Sequence, residues 1–135
     1  MTTPAPPPEP LRRPEAVDEG VLANLKELAG EDREFLPRIV REFFAHADRA
    51  VASVRQAALR RDAAEVRFTA HGLKGSAGSL GARGLAALCA DLEARARTDA
   101  LDDSVPAVEA IAAEAQRVRS RLAPFAPDRP PRERP

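Results

Sequence analysis

The sequence predicts an all-α fold: an antiparallel, up-down-up-down four-helix bundle with a short additional helix at its N-terminal end. Apolar residues recur at intervals of three and four along most of the chain, which is the period of an amphipathic helix. No stretch of useful length alternates as a strand would, and no two-residue hairpin turn is present. The connections between the periodic segments are short, and short loops make neighbouring helices antiparallel.

The composition limits the class of protein. A length of 135 residues suits one domain, and an apolar fraction of 44% is globular. Basic and acidic residues balance at 21 each, which argues against nucleic acid as the main partner. No apolar run is long enough to cross a membrane, and the N-terminus has no signal-peptide core. The single Cys89 forms no internal disulfide, so we expect a cytoplasmic protein.

Both ends of the chain are rich in proline, which lacks the amide donor and resists helix formation. Residues 1–15 and 123–135 are therefore predicted to be disordered tails around a helical bundle at residues 16–122. A proline-rich segment can also be a ligand for small adaptor domains. We favour solvated tails, because such compositions do not bury a core.

The first two helices follow from apolar spacing and stop signals. Four residues mark the first helix: Val17, Val21, Leu25 and Leu28. Gly30 ends it, because glycine accepts the left-handed conformation. The second helix covers about 33–61, with Asp32 as its cap. Pro37 conflicts with a start at residue 33, so we expect a start nearer residue 35 or a kink. Its apolar stripe is Leu36, Ile39/Val40, Phe43, Ala47, Ala50/Val51, Val54 and Ala58.

The remaining three helices are predicted in the same way. The third begins near Asp62 and ends at Gly81, with the stripe Val66, Ala70, Leu73, Ala77 and Leu80. The fourth covers about 82–97 and buries Leu85, Leu88/Cys89 and Leu92. The fifth follows the capping residues 102–104 and tolerates Pro106 in its first turn. It buries Val105, Val108, Ile111/Ala112, Ala115, Val118 and Leu122.

The third helix carries the residues of chemical interest. His71 is one of two histidines, and a helical wheel places it away from the apolar stripe, facing solvent. Its neighbours at helical spacing include Arg67, Phe68, Lys74, Gly75 and Gly78. A glycine inside a helix costs about 1 kcal/mol relative to alanine. The presence of these costly glycines in a helix therefore requires an explanation. Because glycine has no side chain, they would leave a bare strip of backbone over which another protein could approach the imidazole closely.

The chemistry of this cluster is that of a group carrier. A neutral imidazole is a good nucleophile. Lys74 lies one turn from His71, where its ammonium would disfavour the protonated ring and could pair with a phosphoryl group. No carboxylate lies three or four residues from His71 on the same helix. We therefore expect no resident acid/base partner and no catalytic machinery within the chain.

Residues 70–82, AHGLKGSAGSLGA, closely resemble AHxLKGxxxxLGA, the signature of histidine phosphotransfer (HPt) domains. The resemblance extends over about residues 17–122. It implies a phosphorelay protein in which His71 accepts a phosphoryl group from an aspartyl phosphate of a receiver domain and donates it to another receiver. It also implies that Lys74 holds the phosphoryl oxygens. Gly72 departs from the family pattern, which has a bulkier residue there. Separately, the composition, rich in Ala, Arg and Pro, favours a bacterial source.

The resemblance further implies the partners, which are receiver domains of a hybrid sensor kinase and a response regulator. These would dock around Arg67, Phe68, Gly75 and Gly78 and supply Mg²⁺ and the catalytic groups. The chain itself would be a monomeric carrier rather than an enzyme, with no cofactor or metal.

Several alternatives stay open. The bundle could act only as a protein-binding module, as an inhibitor or scaffold. The phosphotransfer part of a histidine kinase is disfavoured, because the chain has no room for a nucleotide domain. Phe68 either packs against the second helix or forms a docking patch. His46 and Cys89 are interpreted as structural, and the glycines at 75, 78 and 81 do not fit a nucleotide-binding loop.

Overall fold

The computed structural model describes residues 15–127, which form five α-helices and a short 3₁₀ turn. The helices are α1 Glu19–Ala29, α2 Phe35–Leu59, α3 Ala63–Ser79, α4 Arg83–Arg97 and α5 Ser104–Leu122, and the 3₁₀ turn is Ala123–Phe125. No strand occurs within the described residues, so the prediction of an all-helical fold is confirmed. The proline-rich ends, residues 1–14 and 128–135, lie outside this range.

Helices α2 to α5 form a closed ring in which each helix packs against two others. The contacts run from α2 to α3, α3 to α4, α4 to α5 and α5 back to α2. The centre of the ring is a single apolar cluster, and its largest fully buried side chains include Leu22, Leu73, Leu85, Leu92, Ile111 and Leu122. Within residues 15–127 no helix is long and apolar enough to cross a membrane.

The starts of α2 and α3 show which residues determine where each helix begins. Helix α2 begins at Phe35, which places Pro37 in the first turn, where its missing N–H leaves no helical bond unmade. The prediction that Asp32 caps α2 is wrong: Glu34 is the N-cap residue, and Asp32 Oδ1 accepts from the Glu34 N–H at 3.0 Å, just ahead of the helix. Asp62 does cap α3, since its Oδ1 accepts from the Glu65 N–H at 3.1 Å.

Two residues of the predicted apolar patterns, one that marked the first helix and one predicted to be buried in the fifth, are exposed. Leu28 is 68% exposed in the last turn of α1, and the buried residue of this helix is Leu22, in its first turn. Val105 is 44% exposed, because the buried stripe of α5 starts at Ser104 and continues to Val108. In both helices, which residues are buried depends on how the helix is rotated against the bundle, and apolar spacing alone does not determine that rotation.

Helix α1 is anchored where α3 meets α4. The Asp18 N–H donates to the Gly81 carbonyl at 2.8 Å, and Arg83 pairs with the Asp18 carboxylate at 2.8 Å. Gly81 has a φ of 75°, in the left-handed region, and a Cβ there would lie 2.8 Å from the Val21 Cβ. The turn joining α3 to α4 is thus fixed both by its own backbone and by α1.

The packed region continues past residue 122, the predicted end of the bundle. The Phe125 ring lies 4.7 Å from the Lys26 ammonium and 5.6 Å from the Arg121 guanidinium, and Ala126 is buried. The 3₁₀ turn therefore seals the bundle against α2 and α5.

Candidate functional site

His71 lies on the outer face of α3. Its side chain is 67% exposed, whereas Ala70 and Leu73 on either side are buried in the core. The orientation predicted by the helical wheel is confirmed. The core stripe on the opposite face holds the helix in place while the imidazole remains accessible.

A carboxylate from the neighbouring helix contacts this imidazole. Glu93 of α4 is only 4% exposed, and its Oε1 lies 3.0 Å from His71 Nδ1. An ionised carboxylate can only accept, so Nδ1 carries the hydrogen and donates it. The lone pair of the neutral ring is then on Nε2. The expectation that His71 has no carboxylate partner is therefore wrong. The partner belongs to α4, and the spacing of residues along α3 gives no information about which residues of α4 lie nearby.

Glu93 is surrounded by three nitrogen donors. Its Oε2 accepts from Lys74 Nζ at 2.6 Å, and its Oε1 lies 3.2 Å from Arg97 Nη2 as well as 3.0 Å from His71 Nδ1. The hydrogen bond from Lys74 lowers the pKa of the Glu93 carboxyl, with a smaller contribution from His71, against the opposing effect of burial. The Glu93 carboxylate is thus ionised, and both of its oxygens contact nitrogen donors.

Glu93 was not recognised as a site residue from the sequence, although a signal for it exists. It follows Leu92 on the apolar face of α4, four residues after the buried Cys89. A charged residue on a buried face requires a partner, because an unpaired buried charge is costly. The sequence alone does not show which helix supplies that partner.

The surface around His71 is open. Phe68 is 76% exposed, so it does not pack against α2 as one alternative held. A groove of about 440 Å³ runs between Phe68, His71 and α4, bordered by Arg67 and Arg97. Above the glycines at 75 and 78 a Cβ would meet no atom within 4 Å. The predicted site residues therefore share one accessible face, with Lys74 at its edge tied to Glu93.

The second histidine joins α2 to α3. His46 is half-buried, its Nδ1 lies 2.6 Å from Ser76 Oγ, and Ser76 is also within 3.3 Å of the Gly72 carbonyl. A Cβ at Gly72 would lie 3.8 Å from His46 Nε2, so the ring covers one side of the bare backbone. Cys89 is buried, as predicted, and desolvation raises the pKa of its thiol to about 12.

The Hpt domain family model matches residues 38–121, which include every residue of this cluster. The chain belongs to the Hpt domain family. Among solved structures, this Hpt domain is similar to histidine-containing phosphotransfer protein B (HptB) from Pseudomonas aeruginosa PAO1. The TM-score is 0.75 at 30% identity, covering 81% of this chain and 92% of that one. The curated proteins contain no match.

Membership of the family defines the class of function. Hpt domains are phosphoryl carriers of phosphorelays rather than enzymes, and they interact with receiver domains. The five-helix architecture of this Hpt domain agrees with the structural match.

Proposed function

We propose that His71 accepts a phosphoryl group from the aspartyl phosphate of one receiver domain and passes it to the aspartate of another. The observation that carries this proposal is the pairing of an exposed imidazole with a buried carboxylate. Glu93 takes the hydrogen bond from Nδ1, so Nε2 presents its lone pair on the accessible face. The arrangement fixes the tautomer that an Nε2 nucleophile requires.

Each half of the exchange is a displacement at phosphorus. The Nε2 lone pair forms the new P–N bond while the P–O bond to the receiver aspartate breaks, and its electrons return to the aspartate carboxylate. The ring then carries a positive charge, and the Nδ1–H bond to Glu93 stabilises that imidazolium. The reverse reaction delivers the phosphoryl group to the second receiver. Mg²⁺ and the other catalytic groups belong to the receivers.

The residues around His71 have supporting roles in this proposal. Lys74 is one helical turn away and stabilises the phosphoryl oxygens with its ammonium. Arg67, Phe68, Gly75 and Gly78 form the docking face, of which the aromatic ring supplies an exposed apolar contact. The receivers are those of a hybrid sensor kinase and a response regulator, in the cytoplasm. The domain acts as a monomer, its four long helices arranged up-down-up-down.

The test uses phosphorylated receiver domains as donors and the variant His71→Gln. Wild type should acquire acid-labile, base-stable phosphate, and His71→Gln should acquire none. His46→Gln is the matched control, since it removes the other of the two histidines, which contacts Ser76 from α2, and should leave phosphorylation intact. If His71→Gln is phosphorylated like wild type, the assignment is wrong. If wild type binds receivers without accepting phosphate, the domain is a binding module.

A further inference from the structure

We propose that Glu93 competes with the phosphoryl group for Lys74 and Arg97 and thereby lowers the stability of the phosphorylated domain. The inference rests on the proposed function of His71 and concerns the lifetime of its phosphorylated form. Its consequence is that the domain releases the phosphoryl group readily and does not store it.

The contacts of Glu93 show which groups are shared. Its two oxygens hold the Lys74 ammonium at 2.6 Å, the Arg97 guanidinium at 3.2 Å and His71 Nδ1 at 3.0 Å. The Glu93 side chain is 6% exposed, whereas the side chains of Lys74 and Arg97 are 34% and 57% exposed. Glu93 is therefore fixed within the bundle, whereas both cationic side chains extend to the surface beside His71.

The competition follows from the charges. Before phosphorylation, Glu93 is the anion that these two cations contact. A phosphoryl group on Nε2 brings about two further negative charges to the same face. The N–H groups that Lys74 and Arg97 give to Glu93 are not available to the phosphoryl group, and the buried carboxylate remains close to the phosphoryl group as a like charge. Both effects raise the free energy of the phosphorylated state, and they oppose the stabilisation that the Nδ1–H bond to Glu93 gives the imidazolium.

Glu93 also favours departure of the phosphoryl group. When water or a receiver carboxylate attacks phosphorus, the P–N bond breaks and its electron pair returns to Nε2. The leaving group is better while Nδ1 is protonated, and the Nδ1–H donor faces the Glu93 carboxylate. A glutamine at this position retains an acceptor oxygen for Nδ1–H but has no charge.

The experiment loads the domain chemically, so that no receiver is needed. Phosphoramidate donates its phosphoryl group to the imidazole, ammonia leaves, and the decay of phosphohistidine is followed by ³¹P NMR. Glu93→Gln should be loaded and should decay about fivefold more slowly than wild type, as expected for partly exposed charge pairs. Glu114→Gln is the matched control: Glu114 is also largely buried and lies 2.7 Å from an arginine, but on α5. It should decay at the wild-type rate.

A second variant separates the competition from a merely structural role. Lys74→Gln should shorten the lifetime in both backgrounds, and by a larger factor in Glu93→Gln, where Lys74 is released to the phosphoryl group. Equal factors in the two backgrounds would overturn the competition, as would a Glu93→Gln lifetime equal to or shorter than that of wild type. If wild type accepts no phosphoryl group from either phosphoramidate or receivers, the result contradicts the proposed function of His71 itself, on which the competition depends.

Discussion

At the scale of single residues, the properties of His71 are set by one side chain from another helix. Glu93 Oε1, 3.0 Å from Nδ1, determines which ring nitrogen is free, and the hydrogen bonds from Lys74 and His71 lower the pKa of that carboxyl although it is buried. A buried carboxylate without these partners would be strongly destabilising. The same contacts therefore support both the folding of α3 against α4 and the chemistry of the imidazole.

This coupling predicts how stability depends on pH. The folded-state pKa of Glu93 is lowered, chiefly by Lys74, from the ordinary 4.5. Its stabilisation is fully present above the unfolded-state pKa and is lost as the pH falls through the folded-state pKa. The free energy of unfolding of wild type relative to Glu93→Gln should thus decrease between pH 7 and pH values below about 4.5. Urea denaturation of both proteins across this range measures it, and a constant difference would contradict the coupling.

The sequence was sufficient to place His71 on an exposed helix face and insufficient to place Glu93 beside it, and the reason is geometric. His71, Lys74 and the glycines share one helix, so helical periodicity places them on one face. Glu93 is 22 positions from His71 in sequence, and its contact requires the way α4 packs against α3. That packing depends on the core contacts of the whole bundle, which local spacing does not contain.

At the scale of elements, the two faces of α3 have different roles: one stabilises the bundle, and the other leaves His71 accessible. Its inner face is buried through Val66, Ala70, Leu73 and Ala77, and its outer face carries glycines above which space is open. Helix limits were largely predictable, because Pro37, Asp62 and Gly81 act locally. The burial of Leu22 rather than Leu28 was not, since it depends on how α1 is rotated against the rest.

Two glycines of this region should respond oppositely to alanine. Gly75→Ala adds a methyl group in open space within a helix and should stabilise the domain by about 1 kcal/mol. Gly81→Ala forces a left-handed φ on alanine and places its Cβ 2.8 Å from that of Val21. This variant should be destabilised by roughly 2 kcal/mol or more.

Thermal or urea unfolding of both variants beside wild type provides the measurement. Phosphoryl exchange with a receiver should be slower in the more stable Gly75→Ala, because the added methyl group occupies the proposed docking face. An undiminished exchange rate would show that Gly75 is not required for clearance.

At the scale of the whole molecule, the ring of α2 to α5 encloses one core, with Cys89 buried on α4 within it. Desolvation raises the pKa of this thiol to about 12, so the reactive thiolate is scarce at neutral pH as well as inaccessible. The reactivity of Cys89 therefore reports whether the bundle is folded.

Modification of Cys89 by a thiol reagent at pH 8 should therefore be slow in native buffer and fast in denaturant. Its native rate should follow the population of unfolded molecules and increase in a destabilised variant such as Gly81→Ala. Rapid modification of the native protein, without loss of helical signal, would show that α4 opens locally.

The attachment of α1 at the α3–α4 turn has a consequence for signalling. The Asp18–Gly81 hydrogen bond ties α1 to the turn between the two helices that supply His71 and Glu93. A nascent or unfolded copy still contains the histidine, but it has no acceptor aligned with Nδ1 and no shaped surface for a receiver. Under the proposed function, competence to accept a phosphoryl group therefore requires a folded bundle, and we expect unfolded copies to take no phosphoryl groups from receivers.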